Sequence, residues 1–190
     1  MPSPTIRHPC SPRADALGSE RPRLPDYAYP PRDYDYPCEA SASPTTRGTT
    51  INVLYTAEAL STGAGRDGRV TTIDGRLDLE MAVPAEMGGS GQGANPELLF
   101  AAGYAACFHS ALQSVARAQR ERLTDSSVGS RVQIGPDGSG GFQLAVHLEV
   151  VLPGVSEARA RELVDAAHTV CPYSNATRGN IDVTISVSDD

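Results

Sequence analysis

Residues 95–122 read NPELLFAAGYAACFHSALQSVARAQRER, and the rest of the chain takes its place around them. Asn95 is a good helix N-cap, and Pro96 suits a first helical position that has no use for its N–H. The stretch beyond Pro96 is almost free of breakers, so a helix of about 27 residues is expected, roughly 40 Å long at 1.5 Å per residue. Its first half is apolar on every side: Leu98, Leu99, Phe100, Tyr104 and Phe108, with alanines between. A helix apolar all round has to be wrapped on all sides by protein. The small residues, with Gly103 among them, predict a close approach by another backbone. One reactive side chain, Cys107, lies in the middle of this dry segment.

Outward from the helix, the flanking segments alternate like half-buried strands. Residues 53–60 form one candidate strand, followed by a glycine-rich turn, STGAGRDG, that carries Arg66. Residues 69–73 and 76–83 flank Asp74-Gly75, a strong hairpin signal. In the second of these, Leu77, Leu79, Met81 and Val83 alternate with Arg76, Asp78 and Glu80. A loop, PAEMGGSGQGA, then leads into the helix. Beyond the helix, residues 128–134 and 142–152 predict a second hairpin, with Phe142, Leu144, Val146, Leu148 and Val150 on one face. Ser156 opens a second helix with an apolar stripe of Leu163, Val164, Ala167 and Val170. That helix stops at Cys171-Pro172, because the residue before proline is pushed out of helical geometry. Ile181, Val183, Ile185 and Val187 make a last strand. The order β-β-β-α-β-β-α-β defines an α+β domain. One sheet hides only one side of the long helix, so a second copy, most simply in a twofold dimer, is expected on the other.

Residues 1–50 do not read as a folded unit. Ten of the fifteen prolines fall there (2, 4, 9, 12, 22, 25, 30, 31, 37, 44), and large aliphatics are scarce. Such a segment buries too little surface to offset its ordering entropy, so a disordered extension is expected, with the folded domain over 51–190. The tyrosine-rich DYAYPPRDYDYP could serve as a peptide ligand; a plain extension is the simpler reading. Cys10 and Cys38 lie here without an assigned role. A formal net charge of -7 argues against nucleic acid as a partner. No apolar run is expected to reach the length of a membrane span, and no secretory signal is expected. The expected setting is a reducing cytoplasm, where four cysteines are reactive or ligating more often than structural.

Helical periodicity turns both Cys107 and Cys171 inward, toward one core. Two inert buried cysteines remain an open reading, since cysteine is among the most buried residue types. A metal site built from Cys107, His109, His168 and Cys171 is weaker. Positions i and i+2 point about 200° apart on a helix, so Cys107 and His109 cannot grip one ion. A Cys–His hydrolase fails at His109 for the same reason, although His147 and His168 stay formally open.

Four segments together carry a resemblance: LYTAEALSTGAGRDG, PAEMGGSGQGANPE, NPELLFAAGYAACF and CPYSNATRGNIDV. They resemble the organic hydroperoxide resistance (Ohr) family within the osmotically inducible protein C (OsmC) superfamily, over residues 52–187. The resemblance implies an OsmC-like fold, with sheets wrapped around long central helices in an intertwined homodimer. It implies a thiol-dependent peroxidase for organic hydroperoxides, alkyl and fatty-acid, and reduction by the dihydrolipoyl group of a lipoylated protein, with no bound cofactor or metal. The family's peroxidatic cysteine falls on Cys107, its resolving cysteine on Cys171, its arginine on Arg66 and its glutamate on Glu97. Two departures stand out: the turn TGAGRDG is one residue longer than the common form, and Leu98 replaces a common glutamine.

That chemistry has physical requirements. The thiolate is the nucleophile, and a free cysteine with pKa about 8.5 is only a few per cent ionised near neutral pH. Burial in an apolar helix makes matters worse. A fixed cation is needed, and Arg66, held by a bidentate pair with Glu97, supplies one that stays charged when desolvated. An apolar pocket favours alkyl hydroperoxides over hydrogen peroxide; its expected walls are Phe100, Tyr104, Phe108, Met87 and the loop 84–94. Glu97 and Cys107 are ten residues apart on one helix, about 15 Å. The Arg66–Glu97 pair is therefore expected to serve the Cys107 of the partner subunit. The competing class is a non-catalytic apolar-ligand binder or redox sensor, although no effector element such as a basic helix is visible.

Overall fold

The structure is a computed structural model that describes residues 52–190. The expectations for residues 1–50, including Cys10 and Cys38, lie outside the described residues. Helix α1 spans Pro96–Ala118. Its start is the expected one: Asn95 Oδ1 accepts from the Leu98 amide at 2.8 Å, and Pro96 takes the first helical position. Its end comes four residues earlier than expected. Arg120 adopts a left-handed conformation (φ 58°), the Arg120 amide donates to Arg117 at 3.1 Å, and the Glu121 amide donates to Ala116 at 2.8 Å. This is a Schellman ending in which arginine occupies the position that glycine usually fills.

One three-stranded sheet precedes α1 in the chain and a second follows it. In the first, β1 (Ala59–Thr62), β2 (Arg69–Thr72) and β3 (Asp78–Glu80) run antiparallel in that order. The Asp74-Gly75 hairpin forms as expected between β2 and β3, with Thr71 opposite Asp78. The expected strand over 53–60 forms only at its end; residues 53–58 have no regular structure. Val53, Leu54 and Tyr55 are 62, 93 and 76% exposed, so among the described residues little packs on them. The Met81–Ala94 bridge, with the Ala82 amide donating to Ala94 at 2.8 Å, fastens the end of this sheet to the lead-in of α1.

The second sheet is β4 (Ser127–Pro136), β5 (Phe142–Val151) and β6 (Asp182–Ser188). β4 and β5 form the expected hairpin. β6 pairs parallel to β5, which demands a crossover, and α2 (Glu157–Val170) with α3 (Pro172–Thr177) supplies it. Val146, Leu148, Val150 and Leu152 pack with Ala160, Leu163, Val164 and Ala167 of α2 and with Tyr104, Phe108, Ala111, Leu112 and Ala116 of α1. Two expectations are corrected here. Phe142, at the hairpin tip, is 68% exposed, and Val170 is 54% exposed because Cys171, not Val170, continues the α2 stripe. Ser156 precedes α2 as expected but makes no side-chain capping bond. α3, unforeseen, begins with Pro172 at its first position.

α1 buries the stripe 104, 108, 111, 112 and 116 and leaves much of the rest open, with Leu98 56% exposed. At 23 residues, with a window of mean hydropathy 1.3, it is long and apolar enough to cross a membrane. That corrects the expectation that no apolar run would qualify. Length and composition alone do not separate such a span from the core helix of a water-soluble assembly. Only 17% of the window is buried inside the chain.

Candidate active site

Cys107 sits in the middle of α1 and is half-buried, whereas Cys171 is wholly buried. Their sulfurs are 3.7 Å apart, and both thiols are free. Cys171 occupies the joint between α2 and α3. Its extended backbone (φ -64°, ψ 123°) is what the adjoining Pro172 imposes. Its amide still donates to Ala167 at 2.9 Å, and its carbonyl accepts from Asn175 at 2.9 Å, so both helices hold it.

Tyr173, next in the turn, lies over α1. Its ring stacks on Phe100 (5.9 Å, 13°) and meets Tyr104 edge-on at 5.7 Å. A Cβ on Gly103 would lie 3.0 Å from the Tyr173 hydroxyl and 3.2 Å from its ring, so the glycine makes room for this contact. Beneath it, Tyr104, fully buried, donates from its hydroxyl to Ser174 Oγ at 3.0 Å and lies 3.3 Å from Thr177 Oγ1. Burial pushes the Cys107 thiol above its ordinary pKa; the main-chain amide of Tyr173 opposes the rise, and Cys171 adds to it.

Arg66 lies in the 3-10 turn Gly65–Asp67 and grips Glu97 with both arms, at 2.9 and 2.6 Å. Gly68 closes the turn because any side chain there would collide with the Thr62 carbonyl. Asp67 accepts from the Val83 amide at 3.0 Å and anchors the turn to the segment that leads from β3 to α1. The bonds from Arg66 hold the Glu97 carboxyl below its usual pKa, against the opposing effect of burial. Among the described residues, Arg66 makes no hydrogen bond to Cys107 of its own chain. The four expected catalytic residues therefore fall into two pairs: Cys107 with Cys171, and Arg66 with Glu97.

The expected pocket walls also separate. Phe100 and Tyr104 belong to the aromatic group beside the cysteine pair. Phe108 is fully buried against His168, with ring centroids 6.4 Å apart, and Met87 is 41% exposed in the 3-10 turn Ala85–Met87. No side-chain surface of Tyr104 or Phe108 is open within the single chain. Two surface cavities among the described residues, one lined by Tyr55, Ile73 and Asp74 and the other by Val155, Ala160 and Asp189, lie away from the cysteines. His147 is engaged by Thr184 (2.8 Å) and Ser186 (3.0 Å), and His109 lies 3.0 Å from Ser126. Among the described residues, no three His, Cys, Asp or Glu side chains gather closely enough to hold a metal ion. Sequence reasoning missed Tyr173, Ser174 and Thr177. Pro172 at a helix's first position, directly after the cysteine, was the signal that could have found them.

An α+β chain that brings two free cysteines together where a long core helix meets a proline-broken one belongs to a recognisable class. The family model for OsmC-like protein matches residues 89–186. An organic hydroperoxide resistance protein of Xanthomonas axonopodis pv. citri is 51% identical over 138 residues, covering 72% of this chain and 96% of that protein. The crystal structure of an organic hydroperoxide resistance protein from Legionella pneumophila superposes with a TM-score of 0.69 at 51% identity, over 72% of this chain and 98% of that one. That of OhrB of Bacillus subtilis gives 0.66 at 45% identity, over 72% and 100%. The chain belongs to the organic hydroperoxide resistance family of OsmC-like proteins.

Proposed function

We propose that this chain is a thiol peroxidase that reduces organic hydroperoxides, alkyl and fatty-acid, to alcohols and so protects a cytoplasm against organic peroxide stress. The observation that carries this reading is the pair of free sulfurs 3.7 Å apart at the α1–α3 contact. The names of the relatives support the substrate class. Cys107, half-buried, is the peroxidatic residue, and Cys171, wholly buried and out of a substrate's reach, is the resolver. The Cys107 thiolate attacks the O–O bond of ROOH, its sulfur is oxidised to a sulfenic acid, and the alkoxide leaves to take up a proton as ROH. The Cys171 thiolate then displaces hydroxide from that sulfur, which departs as water and leaves a disulfide. An external dithiol, of the dihydrolipoyl kind carried on a lipoylated protein, returns both thiols by exchange.

The working unit is a homodimer. In support, only 17% of the apolar window of α1 is buried, Leu54 and Leu98 stand exposed, and β1–β3 have little core of their own. Across a twofold axis the first turn of one α1 lies near the middle of the other. The Arg66–Glu97 pair then supplies its cation to the partner's thiolate, which has none beside it among the described residues of its own chain. The direct test is turnover of an alkyl hydroperoxide with dihydrolipoamide, by wild type and by Cys107→Ser. Wild type is expected to turn over and the folded variant to be inactive; turnover by the variant removes Cys107 from the mechanism.

A further inference from the structure

Disulfide closure asks the two sulfurs to move from 3.7 Å to about 2.05 Å, an approach of about 1.7 Å. Until that happens, the Cys107 sulfenate stands open to a second hydroperoxide. In that step the sulfenate attacks ROOH, releases ROH and becomes a sulfinic acid that a dithiol cannot recover. The outcome of each cycle depends on where Cys171 is held, and Cys171 is the joint from which α3 departs.

α3 is fixed to α1 from beneath by three hydroxyls. Tyr104, on α1 three residues before Cys107, reaches Ser174 at 3.0 Å and Thr177 at 3.3 Å, the two residues one helical turn apart on α3. All three are buried: Tyr104 and Ser174 at 0% exposure and Thr177 at 4%. Thr177 Oγ1 also donates to the carbonyl of Tyr173 at 2.9 Å and lies 3.2 Å from that of Ser174, which ties the cluster to the backbone beside Cys171. An apolar contact would serve packing here equally well. Buried hydroxyls instead fix direction, since each fails energetically if its partner moves.

Resting on the peroxidase reading, we infer that the buried Tyr104–Ser174–Thr177 cluster is a positioning device. It holds Cys171 against Cys107 and so sets the ratio of disulfide closure to irreversible overoxidation. None of the three hydroxyls touches the reacting sulfurs, so these are positioning residues, not catalytic ones.

The test measures, by intact mass, the ratio of sulfinic acid to disulfide after a fixed excess of cumene hydroperoxide, together with the thermal midpoint. Wild type comes first: if it forms no Cys107–Cys171 disulfide, the peroxidase reading fails and the cluster has nothing to position. Given closure in wild type, Tyr104→Phe should raise the ratio about three- to tenfold, the weight of roughly one hydrogen bond. Tyr104→Phe also leaves Ser174 buried without its partner, so the midpoint should fall. The double variant Tyr104→Phe with Ser174→Ala removes both polar ends and should recover much of the midpoint, yet keep the raised ratio. Thr177→Ser should hold the wild-type ratio, whereas Thr177→Val should raise it. An unchanged ratio in Tyr104→Phe overturns the inference. So does a ratio that returns to wild type with the midpoint in the double variant, because the role would then be stability alone.

Discussion

Burial holds the Cys107 thiol above its ordinary pKa, and the Tyr173 amide only partly offsets it. Below the thiol pKa, the rate of attack on hydroperoxide tracks the thiolate fraction and rises with pH. An arginine beside the sulfur moves that rising limb toward lower pH. Arg66→Ala should therefore slow the reaction at pH 7 by about tenfold or more, and the two profiles should converge at high pH, where both thiols are ionised. Stopped-flow pH profiles check this; parallel profiles that never converge would mean that Arg66 does not act through ionisation. Glu97 has the opposite sign. Its pKa is depressed by Arg66, so its share of the pair's stability is complete above the ordinary carboxylate pKa and is lost as pH falls through the depressed value. A loss of rate between pH 7 and 5 accordingly belongs to Cys107. Cys171→Ser should consume about one equivalent of hydroperoxide and then stall as sulfenate or sulfinate. Normal cycling with a dithiol would transfer the resolving role elsewhere.

At the scale of elements, the site stands on the packing of α2 and α3 onto α1. Leu163 is fully buried between α2 and the second sheet. Leu163→Ala should cost about 2–5 kcal/mol in denaturant unfolding; a loss below about 1 kcal/mol would mean that this core is not what the fold rests on. The start of α1 is legible in the sequence because Asn95 and Pro96 act locally. Its end is not, since Arg120 takes the left-handed position that glycine ordinarily signals. The strand expected over 53–60, of which only 59–60 forms, illustrates a different limit. Strand structure needs a neighbour to pair with, and among the described residues of 53–58 only Glu58 finds one, its carbonyl accepting from the Ile73 amide at 3.1 Å. α3 escapes a sequence reading because Pro172 marks the end of α2 equally well, and the hydroxyls that anchor the new helix bond to Tyr104, 70 and 73 residues away. The four candidate site residues, Arg66, Glu97, Cys107 and Cys171, are legible through motifs. Their division into two pairs comes from helix rise, since ten residues along α1 exceed any side chain's reach.

For the whole molecule, the exposed side of α1 and the exposed Leu54 and Leu98 are the physical grounds for the proposed dimer. Leu98→Asp should weaken association, shifting sedimentation toward monomer and lowering activity per subunit in step; an active monomer would place the whole site in one chain. Mixing inactive Cys107→Ser subunits with inactive Arg66→Ala subunits should restore activity, because one site of each heterodimer then holds an intact cysteine and an intact arginine. No recovery in verified heterodimers would mean that Arg66 serves its own chain. The central claim, that Cys107 and Cys171 are a working peroxidatic pair, is tested most directly by a single-turnover titration. Reduced protein receives one equivalent of an alkyl hydroperoxide, and the product is mapped by peptide mass. The account predicts one alcohol released and one Cys107–Cys171 disulfide formed per chain. A chain that consumes the peroxide with both of these thiols still free, or with Cys107 joined to Cys10 or Cys38, would contradict it.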